Sequence, residues 1–584
     1  MAHCGAAGSP RGGCAAVAPG ILAASTRCPE MMDTQRLILL FIFGFSVLML
    51  WEAWQKETLP PAALSAQRQA PASQAVPSPA SAPAASPPGS RAASVPSAAA
   101  SAPGERVQVR TDLFIAEIDT LGATLERLEL VKHKDSADAT KNFILLGPEH
   151  HYEAQSGLTG EGGPNHRTLW TGEGRDYALQ PGQDTLDVRL SAPGPNGLRV
   201  DKIYRFKRDS YVIDVLLELH NEGTQPVAPF AYFQFTHDGK PAADANKLAH
   251  SFGAQSFIGF AVYTAEKAFQ KIHPSDIDKS KVDVVQKADN GWIAMVQHYF
   301  VSAWLLPDKA NREYAFEKRQ DGIYVGRAIE PVGTIQPGQT AQVSAPLYAG
   351  PQEQQRLKAA APGFDLVVDY GWLTIIAWPL FWLLQKYHQL AGNWGVAIIL
   401  LTVTVKLIFF PLSAASYKSM AKMKLITPRL TKIRELYGND RQKMNQAMME
   451  LYKTEKINPL GGCLPIVVQI PVFIALYWVL LAAIELRHSP FVLWIHDLAA
   501  LDPYYVLPVL MTATMVLQTR MNPVPPDPVQ AKVMQFMPFV FSIFFFFFPA
   551  GLVLYWLVNN ILSILQQWQI QRMFNRDKPA HGKR

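Results

Sequence analysis

The sequence predicts a polytopic α-helical membrane protein that carries a large antiparallel β-sandwich outside the membrane. Two patterns predict this fold class. Long apolar segments lie close together after about residue 370, which is typical of membrane helices. Residues 105–350 instead carry short stretches of alternating polar and apolar residues, separated by Gly, Pro, Asn and Asp, which is typical of antiparallel strands. Hydrophobic residues make up 49% of the 584 residues and charged residues only 17%, a lower charged fraction than in average soluble proteins.

The N-terminal part contains three segments that precede the sandwich. Residues 1–31 are rich in Gly, Ala and Ser, and we interpret them as a mis-called translation start or a disordered extension, with a second start at Met32. Residues 32–56 contain a uniformly apolar run, which is either a cleaved signal peptide or an uncleaved transmembrane anchor. Residues 57–104 are dominated by Ala, Pro and Ser and are expected to form a disordered linker.

The rest of the chain is predicted to contain a sandwich over 105–355, connecting and interfacial helices over 356–392, and a membrane core over 393–571. The segment 372–391 is aromatic-rich, and we expect an amphipathic interfacial helix that Pro379 breaks. Five spans are predicted in the core, and the N-terminal anchor makes six. The core spans are 393–412, 464–484, 504–519, 534–549 and 551–571.

The basic residues of the loops predict the orientation. Loop 413–459 carries ten Lys or Arg residues against four acidic ones, whereas loop 485–503 carries one against three. The tail 572–584 is also basic. Because cytoplasmic loops are enriched in Lys and Arg, loop 413–459 and the tail are expected in the cytoplasm. Both chain ends are then cytoplasmic and the sandwich lies outside.

Lys406 is a charged residue inside the predicted span 393–412. A lysine at the centre of a membrane helix costs about 2.5–3.5 kcal/mol on insertion scales. Two interpretations fit its position. It could snorkel to the cytoplasmic headgroups, or it could line a polar groove that opens to the cytoplasm. Thr402, one helical turn away on the same face, favours the groove. Polar residues on other spans favour it too: Gln469, Thr512, Thr514, Ser542, Asn559, Asn560 and Ser563.

Loop 413–459 is predicted to form an antiparallel helical hairpin. Apolar residues recur at three- and four-residue steps on both sides of a turn, where Asn439 is expected to cap the second helix with Gln442 in the capping box. The methionines of this stripe either fill the seam between the helices or form an adaptable docking surface. They are Met423, Met444 and Met448.

Missing motifs exclude several classes of function. The sequence contains no GxxxxGK[ST], HExxH, CxxC or GxSxG motif, so we expect no nucleotide, metal or other cofactor and no enzymatic activity. A solute transporter is one alternative, but the spans contain no acidic relay. A membrane-tethered carbohydrate-active protein is another, because large sandwiches often bind sugars, but no convincing pair of carboxylates is evident.

Several motifs resemble one known family. VDYGWL, NWGVAII, SMAKMK, EKINPLGGCLP, FVLWIHDLAALDPYY and FPAGLVLYWLVNNILSILQQ are similar to those of the YidC/Oxa1/Alb3 membrane protein insertases of the Gram-negative type. The resemblance covers about residues 366–574. The MDTQR stretch followed by an apolar run also resembles the start of that family, which favours Met32 and an uncleaved anchor.

The resemblance implies a function, partners and a site. It implies an inner-membrane protein with a periplasmic sandwich that helps hydrophobic segments enter the bilayer without nucleotide hydrolysis. The implied partners are nascent membrane proteins, the Sec translocon, the ribosome, the signal recognition particle receptor and membrane lipids. In the implied substrate groove Lys406 stands where the family usually has arginine, and Thr402 matches a position implicated in activity. The other implied groove residues are Tyr555 and Trp556, a pair that is usually two tyrosines, and Gln469, Asn559 and Asn560.

Overall fold

A computed structural model of the chain describes residues 104–136, 138–160, 163–240, 257–438, 440–457, 464–522 and 528–576. The predictions for 1–31, 32–56 and almost all of 57–104, and the cap at Asn439, lie outside the described residues. The chain divides into two compact units, and the described part of the smaller one is Lys432–Leu451. The larger unit contains the remaining described residues.

In the part of the chain that the structure describes, twenty strands form two sheets. They are β1 Arg106–Arg110, β2 Phe114–Asp119, β3 Thr124–Lys134, β4 Asn142–Leu146, β5 Glu153–Thr159, β6 Thr171–Gly172, β7 Asp176–Ala178, β8 Thr185–Pro193, β9 Leu198–Lys207, β10 Val212–Asn221, β11 Phe230–His237, β12 Gly259–Tyr263, β13 Gln270–Ile272, β14 Lys287–Ala288, β15 Trp292–Val296, β16 Phe300–Leu305, β17 Arg312–Lys318, β18 Tyr324–Pro331, β19 Thr340–Ser344 and β20 Leu347–Pro351.

Each sheet has ten strands. The first runs β14-β17-β18-β11-β5-β3-β2-β1-β7, with β4 paired to β3. The second runs β13-β12-β15-β16-β20-β10-β9-β8-β6, with β19 paired to β10. Neighbouring strands are antiparallel except β1 and β7, which are parallel. The predicted antiparallel sandwich is therefore confirmed.

The core of the sandwich lies between the inner faces of the two sheets. Along β10 every second residue is buried, as the period-two pattern predicts. Trp304 of the second sheet packs against Phe233 and Phe235 of the first, with ring centroids 5.3 and 5.8 Å apart. These large aromatic contacts hold the sheets together through apolar burial. The sandwich needs no disulfide, because the described residues of this region contain no cysteine.

One lysine is completely buried in this core. Lys202 of β9 is 0% exposed, and its Nζ donates to the carbonyl oxygens of Gly122, Ala123 and Ser156 at 3.0, 3.1 and 2.8 Å. Its ammonium also lies 5.2 Å from the ring centroid of Trp170. Burial lowers the pKa of Lys202 to about 7, because removal from water disfavours the charged form. The lysine thereby ties β9 to two segments of the first sheet.

The helices follow in chain order. They are α1 Pro274–Asp278, α2 Gln354–Ala360, α3 Thr374–Ala391, α4 Trp394–Ile408, α5 Phe410–Tyr437, α6 Arg441–Thr454, α7 Leu464–Ala482, α8 Val506–Met521, α9 Pro528–Phe545 and α10 Ala550–Arg576. Among the residues that the structure describes, no single helix is both long and apolar enough to cross a bilayer, whereas α4 and α5 together pass that test with a 66° bend between them. The expected count of six transmembrane helices stays a prediction.

Two expectations about helix continuity are wrong. The predicted span 393–412 is not one helix, since α4 ends at Ile408 and α5 begins at Phe410. Pro411 lacks the N–H that would continue the bonding of α4, but it fits the first turn of a new helix. Pro379, in contrast, does not break the interfacial segment, because α3 runs through it to Ala391.

The sandwich contacts the helical region through the loop between α7 and α8. The Arg487 guanidinium lies 5.4 Å from the ring centroid of Phe143 and donates to Ser136 Oγ at 2.7 Å. The imidazole of His298 is 3.0 Å from the carbonyl oxygen of Leu481 at the end of α7. These contacts position the end of α7 and the loop that follows it directly beside the sandwich.

Candidate functional site

Helix α4 presents the two residues on which the predicted groove depends. Its N-terminus is capped by Asn393, whose Oδ1 accepts from the N–H of Val396 at 3.1 Å. Thr402 and Lys406 are 1% and 9% exposed and lie one turn apart on the same face. The Thr402 hydroxyl donates to the carbonyl oxygen of Ile398 at 2.6 Å, so its proton is used within its own helix. Lys406 therefore supplies the charge of this face.

The ammonium of Lys406 contacts α10. Its Nζ donates to Ser563 Oγ at 2.8 Å, and Ser563 Oγ donates to the carbonyl oxygen of Asn559 at 2.8 Å. Lys406 is thus buried between helices with a partner on α10, and its role in a substrate groove stays a prediction. Ser563 is a residue of this site that the sequence analysis noted only as polar.

The aromatic pair Tyr555 and Trp556 faces α7. Gln469 Nε2 of that helix donates to Tyr555 Oη at 3.1 Å, and Tyr555 is 2% exposed. Trp556 packs edge-on against Phe473 of α7 and Phe545 of α9, with centroids 4.6 and 5.3 Å apart. The pair therefore joins three helices.

The predicted groove residues thus lie on α10 or on the helices α4 and α7, and we call them, with Ser563, the central polar site. Its members are Thr402, Lys406, Gln469, Tyr555, Trp556, Asn559, Asn560 and Ser563. Asn560 is 4% exposed. Further along α10, Gln567 is 1% exposed and its Nε2 donates to Asn522 Oδ1 at 3.1 Å. Gln567 was not predicted from the sequence, although its seven-residue spacing from Asn560 places it on the same helical face.

The methionines predicted as a docking surface are all half-buried. Met423 lies on α5 within the larger unit, close in sequence to the buried residues Ile426 and Leu430. Met444 and Met448 lie on α6 within the smaller unit, also half-buried and one turn apart. Half-burial suits both a seam and a docking surface, so the docking role stays a prediction.

A cluster of metal-type donors lies on the sandwich, away from this site. Asp201, Glu218 and His220 hold their ligand atoms within 4.8 Å of one another. Arg189 and Arg199 already donate to Asp201 Oδ2 at 3.1 and 2.6 Å, and Arg189 also donates to Glu218 Oε2 at 3.2 Å. Two guanidinium groups would repel a cation here, so we interpret the cluster as an ion-pair network.

The fold and the site define a class of protein: a helical core with a buried, singly cationic polar site, joined to a large β-sandwich. Residues 106–383 match the model of the YidC periplasmic domain, and residues 386–578 match that of the 60Kd inner membrane protein. The membrane protein insertase YidC of Methylobacillus flagellatus is 53% identical over 550 residues, covering 93% of this chain and 98% of the relative. That of Bordetella petrii is 52% identical, covering 95% and 100%. The chain therefore belongs to the YidC family of membrane protein insertases.

Solved structures give weaker matches. An active YidC insertase with its first transmembrane domain resolved is 18% identical, with a TM-score of 0.38, and covers 80% of this chain and 94% of that structure. A galactose mutarotase related enzyme from Lactobacillus acidophilus has a TM-score of 0.28 and covers 42% of the chain. The family predicted from the motifs is thus confirmed by the relatives and the family models.

Proposed function

We propose that this insertase uses the central polar site as a temporary compartment for the polar tail of a substrate. The tail of a newly made membrane protein must cross hydrocarbon, where every uncompensated polar group is costly. A polar site between helices lowers that barrier. The hydrophobic segment then leaves sideways into lipid, driven by about 0.8 kcal/mol per buried methylene. The step is a catalysed transfer without bond chemistry, and it uses no nucleotide.

The contact between Lys406 and Ser563 carries this proposal. A buried ammonium is costly, yet Lys406 is held between α4 and α10 rather than extended to the surface. A fixed positive charge attracts acidic side chains and carbonyl dipoles of a passing tail. Because lysine replaces the family's usual arginine without its planar fork, the role is electrostatic rather than a bidentate contact.

The proposed setting is the bacterial inner membrane, with the sandwich in the periplasm and both chain ends in the cytoplasm. The basic residues of 413–459 and of the tail 572–584 support contacts with the ribosome, the signal recognition particle receptor and anionic lipid headgroups. The half-buried Met423, Met444 and Met448 are proposed to dock varied apolar segments. The protein is proposed to act alone or beside the Sec translocon.

Charge substitutions at Lys406 test the proposal. In cells depleted of their own insertase, Lys406→Arg is expected to restore growth and membrane insertion, whereas Lys406→Glu is expected to fail. Lys386→Glu is the matched control, because Lys386 is exposed on α3 and contacts Gln389. Equal complementation by Lys406→Arg and Lys406→Glu, at equal protein levels, would show that the charge of the site is not used.

A further inference from the structure

Helix α10 carries polar atoms that are buried without a hydrogen-bond partner among the described residues. They are Trp556 Nε1, Asn559 Oδ1, Asn560 Nδ2, Gln566 Oε1 and Gln567 Oε1. A buried polar atom left unpaired costs about 1–3 kcal/mol, so a group of five on one helix calls for a partner. The same side of α10 receives the ammonium of Lys406 at Ser563. The atoms are therefore part of, or directly continue, the central polar site.

The five residues lie on one face of the helix, and we call this set of residues the row. At about 100° per residue, their positions fall within an arc of roughly 120°. From Trp556 to Gln567 the row is about 16 Å long at a rise of about 1.5 Å per residue. About five residues of extended chain have the same length. Asn560 and Gln567 are 4% and 1% exposed, so only a segment that enters between the helices reaches them.

The chemistry of the row identifies what such a segment offers. Two of the unpaired atoms, Trp556 Nε1 and Asn560 Nδ2, are donors, and the other three are acceptors. A carboxylate only accepts hydrogen bonds, so it cannot pair with the side-chain amide oxygens of Asn559, Gln566 and Gln567, which need a donor. A peptide main chain provides one N–H donor and one C=O acceptor at every residue. The mixture therefore fits main-chain amides rather than acidic side chains.

We propose that Trp556, Asn559, Asn560, Gln566 and Gln567 hydrogen-bond the main chain of the extended polar tail during its passage. The inference rests on the proposed function, since it assigns the ligand chemistry of the same site. Within that site, Lys406 attracts negatively charged groups of the tail, whereas the row hydrogen-bonds the backbone of the tail. Recognition of the backbone is independent of side chains, which suits a site that handles many substrates.

Replacement of tail amides by esters tests the proposal. The full-length chain is placed in phospholipid vesicles and given a single-span substrate whose translocated tail contains only Gly, Ser and Asn. A matched substrate carries α-hydroxy acids at three consecutive tail positions, which removes the N–H donors and keeps the side chains. Insertion rates of the two substrates are compared for the wild type, Gln567→Leu and Asn559→Leu. Thr519→Val is the control, because its hydroxyl donates to the carbonyl oxygen of Met515 within α8.

In the wild type and the control, the ester tail is expected to insert about fivefold more slowly per lost hydrogen bond. In Gln567→Leu and Asn559→Leu the insertion of the amide tail is expected to be slower by a similar factor. In these two variants the ester substitution is expected to slow insertion by a smaller factor than it does in the wild type. The proposed role of the row would be overturned if the ester slowed insertion equally in all four proteins, or if it did not slow insertion in the wild type. A further substrate, whose tail also contains Asp, tests the charge: if its insertion too is unaffected by Lys406→Glu, the proposed function is overturned together with the row.

Discussion

Lys406 Nζ donates to Ser563 Oγ at 2.8 Å, which joins α4 to α10 in the centre of the polar site. Ser563 in turn donates to the carbonyl oxygen of Asn559. The hydroxyl is therefore both the acceptor for a buried cation and a donor to the backbone of its own helix. This double role makes Ser563 the residue through which the position of the ammonium is set.

Replacement of Ser563 is expected to affect the protein through Lys406. Ser563→Ala removes an acceptor from a buried ammonium, and we expect a loss of about 1–3 kcal/mol in stability. Ser563→Thr keeps the hydroxyl and is expected to remain close to the wild type. Thermal unfolding in detergent measures the difference. In the background of Lys406→Met the effect of Ser563→Ala should shrink, and an unchanged effect there would contradict the coupling.

Much of this architecture could be predicted from sequence, because it depends on repeating patterns. Period-two alternation predicted the sandwich, and the long apolar segments predicted the helical region. The break between Ile408 and Phe410 was not predicted, because the hydropathy of an apolar segment is the same whether the helix is straight or bent. The contact of Lys406 with Ser563 was missed for another reason: it joins residues 157 positions apart in sequence. Which polar residues on different helices meet is set by packing, and one sequence does not contain that information.

The sequence motif NWG has a steric explanation in the structure. A Cβ added to Gly395 would lie 2.0 Å from the ring carbon Cδ2 of Phe491, in the loop between α7 and α8. Gly395→Ala is therefore expected to displace the loop and to cost about 1–3 kcal/mol. Thermal unfolding measures this loss. The double variant Gly395→Ala with Phe491→Ala removes the clash, so it should be less unstable than the sum of its single variants, and simple additivity would refute the explanation.

Arg487 is expected to fasten this loop to the sandwich. Its guanidinium stacks near Phe143 and Phe300 and donates to Ser136. Arg487→Ala removes all three contacts, while Arg487→Lys keeps the charge and loses the planar surface. We expect faster amide hydrogen exchange in loop 485–503 for both variants, and more so for Arg487→Ala. Unchanged exchange in the alanine variant would show that the contacts do not restrain the loop.

Lys202 is expected to make the stability of the sandwich depend on pH. Burial lowers the pKa of Lys202 to about 7 in the folded chain, below the ordinary lysine value of 10.5. Between those values the unfolded chain binds more protons than the folded one, so the free energy of unfolding rises with pH, by at most about 1.4 kcal/mol per pH unit. Below pH 7 both forms are protonated and the contribution is constant.

The stability of the wild type relative to Lys202→Met should therefore increase from pH 7 to pH 9. Chemical unfolding of the full-length protein in detergent, followed by tryptophan fluorescence, measures it, since Trp170 lies beside the ammonium. Lys207→Met, at an exposed lysine of the same strand, controls for the loss of a positive charge. If the difference in the free energy of unfolding between the wild type and Lys202→Met stays constant over this range, burial does not lower the pKa of Lys202. The three backbone carbonyl oxygens around Nζ would then compensate for the hydration that the ammonium loses on folding.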